Sequence, residues 1–384
     1  MIRLFISFFL AILMCTAICD VPARAVGEWS TRTYSDWSPK VEWHLKSVGK
    51  LSSEIQIGPN GLLYAHSGSK LTVFDENGHK LWDVTNKNGS ATSAPVFDSQ
   101  GSIFVPGKNM FQEFKLNGST GWSFSVFLSN SGSQTLLTAG PGRQLYLHTP
   151  SGLYAVDTVG RYRWMLYQWN MARNTSTTTE TFKVIAAAGD SRVVLSVVAR
   201  DKGGAQLLAF DQEGKLQWRF AMGEVKNVDL VFGPDGYLYV TQNPSGGGNS
   251  YGALHAFDVY GNGKPLWTYR IRSNKLTAPT PTNHDQLYFM DGDLLYALNQ
   301  VTGKEIWSND LPKANARPAA DENSMRVYVG GRDNQLIAMN PNGRVDWWMD
   351  LGGKITMKPL MAPDGYIYVA TDKGDIYKIK DRPN

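Results

Sequence analysis

The chain has 384 residues, with 38 lysine and arginine side chains against 34 aspartate and glutamate side chains. The net charge of +4 is small and is spread along the chain, which argues against a nucleic-acid-binding protein. Hydrophobic residues make up 42% of the chain and glycines number 38, which is typical of a globular protein with many tight turns.

The first 25 residues have the parts of a secretory signal peptide. Arg3 supplies the positive charge, residues 4–18 are mostly apolar, and Ala23-Arg24-Ala25 has the small-x-small pattern of a cleavage site. The apolar run is shorter than the ~20 residues that a membrane-spanning helix needs, and no later run is long enough. We therefore expect cleavage near Ala25, no transmembrane segment, and a secreted or periplasmic protein.

Both cysteines, Cys15 and Cys19, lie inside this signal peptide. A processed chain would therefore contain no disulfide and no reactive thiol. Bacterial lipoproteins carry a small residue directly before the modified cysteine, whereas Met14 and Ile18 occupy those positions here. We expect that the protein is not a lipoprotein.

After an amino-terminal extension over residues 26–40, the chain repeats a pattern in which a glycine precedes a tryptophan by four residues. The pairs are Gly78/Trp82, Gly118/Trp122, Gly160/Trp164, Gly214/Trp218, Gly263/Trp267, Gly303/Trp307 and Gly343/Trp347. Trp43 precedes them without the glycine, and the successive tryptophans are 39, 40, 42, 54, 49, 40 and 40 residues apart. A repeat of about 40 residues built from short strands is typical of a β-propeller blade.

The first repeat contains four short apolar segments joined by turn sequences. The pattern predicts strands over residues 53–57, 62–65, 71–74 and 80–83. The turn Pro59-Asn60-Gly61 separates the first two, since proline presets φ and Asn-Gly tolerates positive φ. The same order recurs in later repeats, so each is predicted to be an antiparallel meander.

The last repeat has no outer strand of its own. It contains Tyr366–Val369 and Asp375–Lys378, and no tryptophan follows. The missing strand is found at the other end of the chain, at Val41–Leu45, and pairing it with the last repeat would remove a free sheet edge. We predict an all-β fold over residues 41–380, an eight-bladed β-propeller of four-stranded antiparallel blades closed by this N-terminal strand, with residues 381–384 as a C-terminal tail.

The segment from Ala297 to Trp307 resembles the tryptophan-docking motif of pyrroloquinoline-quinone (PQQ) type propeller repeats, roughly A-x-D/N-x-x-T-G-K-x-x-W. Residues 209–218 and 338–347 are similar to it, and residues 155–157 and 256–258 open two weaker copies. The resemblance covers about residues 41–380. It implies the fold of the quinoprotein alcohol dehydrogenase-like superfamily.

The resemblance implies one of two kinds of function. Quinoprotein dehydrogenases hold the quinone and a calcium ion with a Glu/Asn/Asp set, stack the quinone on a disulfide of adjacent cysteines, and are considerably longer. This chain has no cysteine after Cys19 and is closer in size to the non-catalytic BamB-type propellers, whose loops contact partner proteins. It lacks a lipid-attachment cysteine of that type. We therefore expect neither PQQ nor calcium as a cofactor.

Two intervals between tryptophans exceed the repeat length and locate inserted segments. The inserted segments are residues 167–181 and 200–204 in the first interval and residues 242–252 in the second. All three lie between the second and third strands of a repeat or between successive repeats, connections that emerge on one face of the disc, where binding groups concentrate. The predicted partner-binding residues are Tyr167, Trp169, Arg173 and Tyr251. The Ser/Thr/Gly-rich composition of the insertions is also compatible with tolerated loops that bind nothing.

Other patterns carry little chemistry. The six histidines show no metal-ligand spacing, and no Gly-x-Ser-x-Gly motif is present. Asp291-Gly292-Asp293 resembles part of a calcium loop but is more typical of a hairpin tip. We predict a monomeric, non-enzymatic propeller that binds a protein or cell-envelope partner and no nucleic acid. The alternatives are a PQQ-dependent oxidoreductase-like enzyme, a hydrolase and a carbohydrate-binding propeller.

Overall fold

A computed structural model describes residues 31–383 apart from eleven short internal segments. These are residues 34–36, 87–92, 99, 108–109, 126–135, 141–142, 150–151, 168–184, 188–194, 202–203 and 247–249. The predicted signal peptide and part of the predicted extension lie outside the described residues. The described part of the chain forms 33 β-strands, which pair into antiparallel sheets.

From β3 to β30, each group of four consecutive strands forms one sheet, in chain order. Sheet 1 contains β3 (Gln56–Ile57), β4 (Leu63–Ser67), β5 (Lys70–Phe74) and β6 (Lys80–Thr85). Sheet 2 contains β7 (Val96–Phe97), β8 (Ile103–Gly107), β9 (Met110–Phe114) and β10 (Thr120–Ser125). Sheet 3 contains β11 (Leu136–Gly140), β12 (Gln144–Thr149), β13 (Gly152–Asp157) and β14 (Tyr162–Tyr167). Sheet 4 contains β15 (Ile185–Ala187), β16 (Leu195–Asp201), β17 (Gly204–Phe210) and β18 (Leu216–Gly223).

The second half of the chain continues the pattern up to the last repeat. Sheet 5 contains β19 (Val225–Phe232), β20 (Leu238–Pro244), β21 (Gly252–Phe257) and β22 (Pro265–Ile271). Sheet 6 contains β23 (Thr280–Pro281), β24 (Gln286–Asp291), β25 (Leu294–Asn299) and β26 (Glu305–Asp310). Sheet 7 contains β27 (Ala319–Ala320), β28 (Val327–Gly330), β29 (Gln335–Met339) and β30 (Val345–Asp350). Sheet 8 contains β31 (Leu360–Met361), β32 (Tyr366–Ala370) and β33 (Ile376–Pro383).

The amino-terminal strands complete the two last sheets. The strand β2 (Trp37–Leu45) pairs along β33, from Trp37 opposite Pro383 to Leu45 opposite Ile376. The strand β1 (Thr31–Thr33) pairs with the outer strand β30 of sheet 7.

The prediction of eight four-stranded blades is therefore wrong. Seven of the sheets have four strands, and sheet 7 has five. The physical reason is that β30 would otherwise leave backbone donors and acceptors unpaired along its outer edge, and β1 covers them.

Hydrophobic clusters fill the space between neighbouring sheets. One cluster joins Tyr64 and Val73 of sheet 1 to Ile103 and Phe114 of sheet 2, and all four side chains are buried. A similar cluster joins sheets 5 and 6. First strands also contact first strands of neighbouring sheets, as β11 contacts β7 and β15. The sheets therefore stand around an axis that is lined by their first strands.

Each repeat tryptophan ties its sheet to the following one. The indole N–H of Trp82 donates to the carbonyl oxygen of Leu116 at 2.8 Å, and that of Trp267 donates to Gln300 O at 3.0 Å. The acceptor in each case belongs to the turn before the outer strand of the next sheet. The repeat tryptophan is therefore a structural link, in which the polar N–H of the indole finds its acceptor in the next sheet.

Candidate functional site

The predicted partner-binding residues fall largely outside the part of the chain that the structure describes. Trp169 and Arg173 lie in the undescribed segment 168–184, and Tyr167 is described only as the last backbone position of β14. Tyr251 directly precedes β21, and its side chain is 61% exposed. The structure does not test whether these four residues form one site, so the site stays a prediction.

The structure also shows how two predicted insertions are built. Asp201 of β16 pairs with Gly204 of β17, so the described residues of the segment 200–204 continue the pairing of these two strands. The first three residues of the segment 242–252 belong to β20, and the connection to β21 is residues 245–251. Both connections lie between second and third strands. We call the face that carries these connections and those between successive sheets the loop face.

A polar cleft of about 790 Å³ opens on the loop face over sheets 6 and 7. Its lining comes from the segment after β22, the β24–β25 hairpin, the end of β26 and the β28–β29 hairpin. The lining residues are Arg272, Ser273, Asn274, Lys275, Thr277, Asp291, Gly292, Asp293, Leu294, Asp310, Asn315 and Arg332. The cleft thus uses the predicted class of connections, but in the two sheets next to the predicted insertions.

Side-chain hydrogen bonds hold the cleft wall formed by residues 272–277. Asn243 in β20 is buried, and its amide both donates to Leu276 O and accepts from Leu276 N, each at 2.8 Å. Thr277 exchanges two hydrogen bonds with Met290 of β24, at 2.9 and 3.0 Å. Because its backbone is fixed at both points, this segment forms a preorganised wall.

The opposite wall is the β24–β25 hairpin, whose tip is Asp291-Gly292-Asp293 as the sequence indicates. Ser273 Oγ donates to Asp291 Oδ1 and accepts from Lys275 N at 3.1 Å. Arg332 Nη2 donates to Asp293 Oδ1 at 3.3 Å, and Leu311 N donates to Asp293 O at 2.8 Å. These contacts join sheets 6 and 7 across the cleft.

The cleft carries charges of both signs in equal number. Its cations are Arg272, Lys275 and Arg332, and its anions are Asp291, Asp293 and Asp310. Asn315 lines the same cleft, and its Oδ1 atom is buried without a hydrogen-bond donor among the described residues. Unpaired buried acceptors destabilise a protein by about 1–3 kcal/mol. The surface therefore suits a polar partner of mixed charge better than an apolar small molecule.

Sequence reasoning ranked the loops by length and so missed this cleft. Its walls are short hairpins of ordinary length, and their charged tips are adjacent only in the folded molecule. A usable signal is the charge at the turns between second and third strands, since Asp291 and Asp293 in one repeat precede Arg332 in the next.

The donor groups of the described residues bear on the calcium ion that quinoprotein dehydrogenases hold beside the quinone. No group of three or more His, Cys, Asp or Glu side chains within them is placed to hold a metal ion. No cysteine follows Cys19, so the stacking disulfide of the quinoprotein dehydrogenases has no equivalent. The donor set thus does not fit the group, and the expectation of no cofactor remains a prediction.

Antiparallel sheets around an axis, each linked to the next by a tryptophan, define a PQQ-type β-propeller repeat protein, and the resemblance seen in the sequence is confirmed. The family model described as "Outer membrane protein assembly factor BamB" matches residues 33–203 and 290–382. Since these segments make up more than half of the chain, the protein belongs to this family. No curated protein matches the chain.

Solved structures with the same architecture confirm the fold. BamB from Moraxella catarrhalis is 18% identical, with 89% of this chain and 100% of that chain covered at a TM-score of 0.64. The Dos1 propeller is 12% identical (89% and 95% covered, TM-score 0.68), and a europium-containing methanol dehydrogenase is also 12% identical (89% and 93% covered, TM-score 0.61). At such identities the likeness shows the fold alone. No helix in the described residues is long and apolar enough to cross a membrane.

Proposed function

We propose that the protein is a secreted or periplasmic, non-enzymatic propeller that binds a protein partner of the cell envelope through its loop face. The observation that carries the proposal is the preorganised cleft of mixed charge over sheets 6 and 7. The description of the family as an outer membrane assembly factor supports a role in the envelope. The predicted signal peptide supports export.

The cleft has the properties of a recognition surface for a polar segment of another protein. One wall is anchored by the buried hydrogen bonds between Asn243 and Leu276, so little conformational entropy of that wall is lost on binding. Its charges are arranged with Lys275 on one wall and Asp293 with Arg332 on the other, which favours a partner with complementary charges. Tyr251 extends the same face over sheet 5 and is exposed enough to act as an aromatic anchor.

The first experiment identifies the partner. A photoreactive amino acid replaces Leu294 in the cleft, and crosslinking is carried out in intact cells of the source organism. The control places the same amino acid at Leu266, an exposed position on an outer strand. We expect one crosslinked envelope protein from the cleft position and none from the control. The same products from both positions would contradict the proposal.

The second experiment measures affinity for the purified partner. Arg332→Glu reverses a charge in the cleft, and Lys264→Glu makes the same change on the opposite face, in the turn before β22. We expect Arg332→Glu to weaken binding at least tenfold, about 1.4 kcal/mol, and Lys264→Glu to leave it unchanged. Equal affinities of the two variants would exclude the cleft. Turnover after addition of PQQ and calcium, followed by dye reduction, would instead support the oxidoreductase alternative.

A further inference from the structure

Four charged residues occupy the same position in four different repeats. Each lies four residues before the residue whose N–H closes the turn between first and second strands. The closing bonds are Gly58 N to Leu62 O, Gly233 N to Tyr237 O, Asp321 N to Arg326 O and Ala362 N to Tyr366 O. The charged residues are therefore Glu54, Asp229, Arg317 and Lys358, in sheets 1, 5, 7 and 8. Ala94 occupies the same place in sheet 2, before Asp98.

This position faces the axis of the propeller. It lies at or just before the first strand of each sheet, and first strands of neighbouring sheets contact one another, as β27 contacts β31 and β15 contacts β19. Arg317 of sheet 7 interacts electrostatically with Glu54 of sheet 1 and with Asp229 of sheet 5. Neither of these two sheets is adjacent to sheet 7. Such an interaction requires that the side chains share the axial channel. Because first strands start at the loop face, the charges lie at that end of the channel.

The two cations at this position are not neutralised by contact. Arg317 Nη2 donates to Pro279 O at 2.7 Å, but its Nε is buried without an acceptor among the described residues. Among the described residues, Lys358 has no hydrogen-bond partner for its side chain and no carboxylate within 4.0 Å of it. Among the described residues, the Asp229 carboxylate accepts a hydrogen bond from Thr241 Oγ1 alone, at 3.4 Å. None of the four side chains forms a direct ion pair with another described residue.

The balance of charge around Lys358 is unfavourable to its ammonium form. Burial and, to a smaller extent, the neighbouring Arg317 guanidinium lower the pKa of Lys358, Glu54 and Glu322 oppose the shift, and the pKa that results is about 8. Burial also lowers the pKa of Arg317, against the carboxylates of Glu54 and Asp229. These carboxylates form no direct ion pair with either cation among the described residues, and an anion held between the two cations would form one with both.

We propose that Arg317 and Lys358 form a binding site for a carboxylate group at the loop-face end of the axial channel. The guanidinium offers its free Nε–H to one carboxylate oxygen, and the ammonium pairs with the other. Glu54 and Asp229, on sheets to either side of the cation pair, limit the site to a single carboxylate group by repulsion. The site is independent of the cleft and does not require a protein partner. The carboxylate is either that of a free small acid or that of an acidic side chain from a bound protein.

The test measures the protonation of Lys358 directly. Competitive labelling of lysine amines with acetic anhydride, read by mass spectrometry over pH 6–11, gives the titration of each lysine in the intact protein. We expect Lys358 to titrate near pH 8 alone and to move up by one unit or more in saturating succinate, because the bound anion stabilises the ammonium. Lys354, which is exposed, serves as the internal control and should not respond. A Lys358 titration that succinate, inorganic phosphate and a triglutamate peptide all leave unchanged would overturn the proposal.

Affinity measurements on a variant identify the source of the carboxylate. Lys358→Gln removes the charge without breaking a hydrogen bond, so the variant should fold normally. We expect it to bind succinate at least tenfold more weakly than the unchanged protein, with Lys354→Gln unaffected. Binding in the unchanged protein should weaken as pH rises through about 8, since Lys358 loses its positive charge over that range. Stronger binding of succinate than of triglutamate indicates a free acid, and the reverse indicates an acidic side chain; equal binding by Lys358→Gln contradicts the site.

Discussion

At the scale of single residues, the repeat glycine has two separate reasons to lack a side chain. Gly343 has a φ of +78°, which favours glycine in this turn. A Cβ atom there would also lie 2.6 Å from Cδ2 of Trp307, the tryptophan of the preceding repeat. The glycine therefore leaves room for the indole that links the two sheets, and the spacing of four residues to its own Trp347 follows from the turn alone.

Substituting alanine at two glycines separates these reasons. Gly61 has a φ of +75°, but a Cβ atom there would meet nothing within 4 Å. We expect Gly61→Ala to lose about 1 kcal/mol from backbone strain, and Gly343→Ala to lose a further ~2 kcal/mol because the methyl group displaces Trp307. Chemical denaturation of both variants measures the difference. Equal losses would mean that the indole moves aside without a penalty.

A buried histidine makes the stability dependent on pH. His66 in β4 is fully buried, neither ring nitrogen has a hydrogen-bond partner among the described residues, and burial lowers its pKa to about 4. The unfolded chain binds a proton near pH 6.5. The folded protein does not bind it until about pH 4. Above pH 6.5, His66 therefore does not change the free energy of unfolding. As pH decreases from 6.5 to about 4, the unfolded chain binds this proton while the folded protein does not, so stability falls.

The free energy lost through His66 across this range is roughly 3 kcal/mol, from a shift of about 2.5 pKa units. We expect His66→Leu to reduce the fall in melting temperature between pH 7 and pH 4. His148 and His255 also have lowered pKa values, so part of the fall should remain. If the melting temperatures of the variant and of the unchanged protein fall equally between pH 7 and pH 4, then protonation of His66 does not destabilise the folded protein.

At the scale of strands and turns, the sequence predicts what depends on local pattern. The Gly–Trp spacing placed Trp82 in β6 and Trp267 in β22, on outer strands, because turn residues and alternating apolar residues act within one repeat. The first strand of sheet 1 was predicted over residues 53–57 but covers only Gln56–Ile57. Its edge that faces the axis pairs with no other described strand. The length of this strand is therefore set by its pairing with β4 and not by its propensity.

Features that depend on contacts between distant repeats could not be predicted in this way. The fifth strand β1 was missed, since three residues of extension carry no repeat signal. The cleft was missed because Asp293 and Arg332 meet only after sheets 6 and 7 pack together. The charges at Glu54 and Lys358 stand more than 300 residues apart and share a channel only in the closed ring.

The link between sheets 7 and 8 differs from the others and can be removed by one substitution. Trp347 Nε1 donates to Asp381 Oδ1 at 2.9 Å, where other repeat tryptophans donate to backbone carbonyl oxygens. Tyr328 also donates its hydroxyl to Asp381, at 2.8 Å, and Arg326 lies 3.6 Å away. The Asp381 carboxylate of β33 thus accepts two hydrogen bonds from sheet 7 and forms one ion pair with Arg326.

We expect Asp381→Ala to destabilise the fold by about 3 kcal/mol, because it leaves buried donors of Trp347 and Tyr328 unpaired. Asp381→Asn keeps an acceptor for the indole and should lose less. The matched control is Leu116→Ala, since Trp82 donates to the backbone oxygen of Leu116 and keeps its bond. Thermal melting ranks the three variants, and an Asp381→Ala variant as stable as Leu116→Ala would contradict this account.

At the scale of the whole molecule, the amino-terminal strands hold the two ends of the repeat array together. Trp37 stacks on the guanidinium of Arg326, whose Cζ lies 3.6 Å from the ring centroid. Val41 is buried in the cluster between sheets 7 and 8, and Leu45 in the cluster between sheets 8 and 1. The strand β2 therefore contributes to both interfaces of sheet 8, whereas β1 contributes only to the edge of sheet 7.

Two truncations separate the contributions of these strands. A chain that begins at Trp37 lacks β1 and should lose about 1–2 kcal/mol, since it leaves the backbone of three residues at the edge of β30 unpaired. A chain that begins at Lys46 also lacks β2, opens sheet 8 and exposes two hydrophobic clusters, so we expect its melting temperature to fall by more than 10 °C or its cooperative transition to disappear. Addition of a peptide of residues 37–45 should restore part of the loss, because the groove beside β33 remains. A chain beginning at Lys46 that melts like the one beginning at Trp37 would show that the ring closes through its sheets alone, without the strand from the amino terminus.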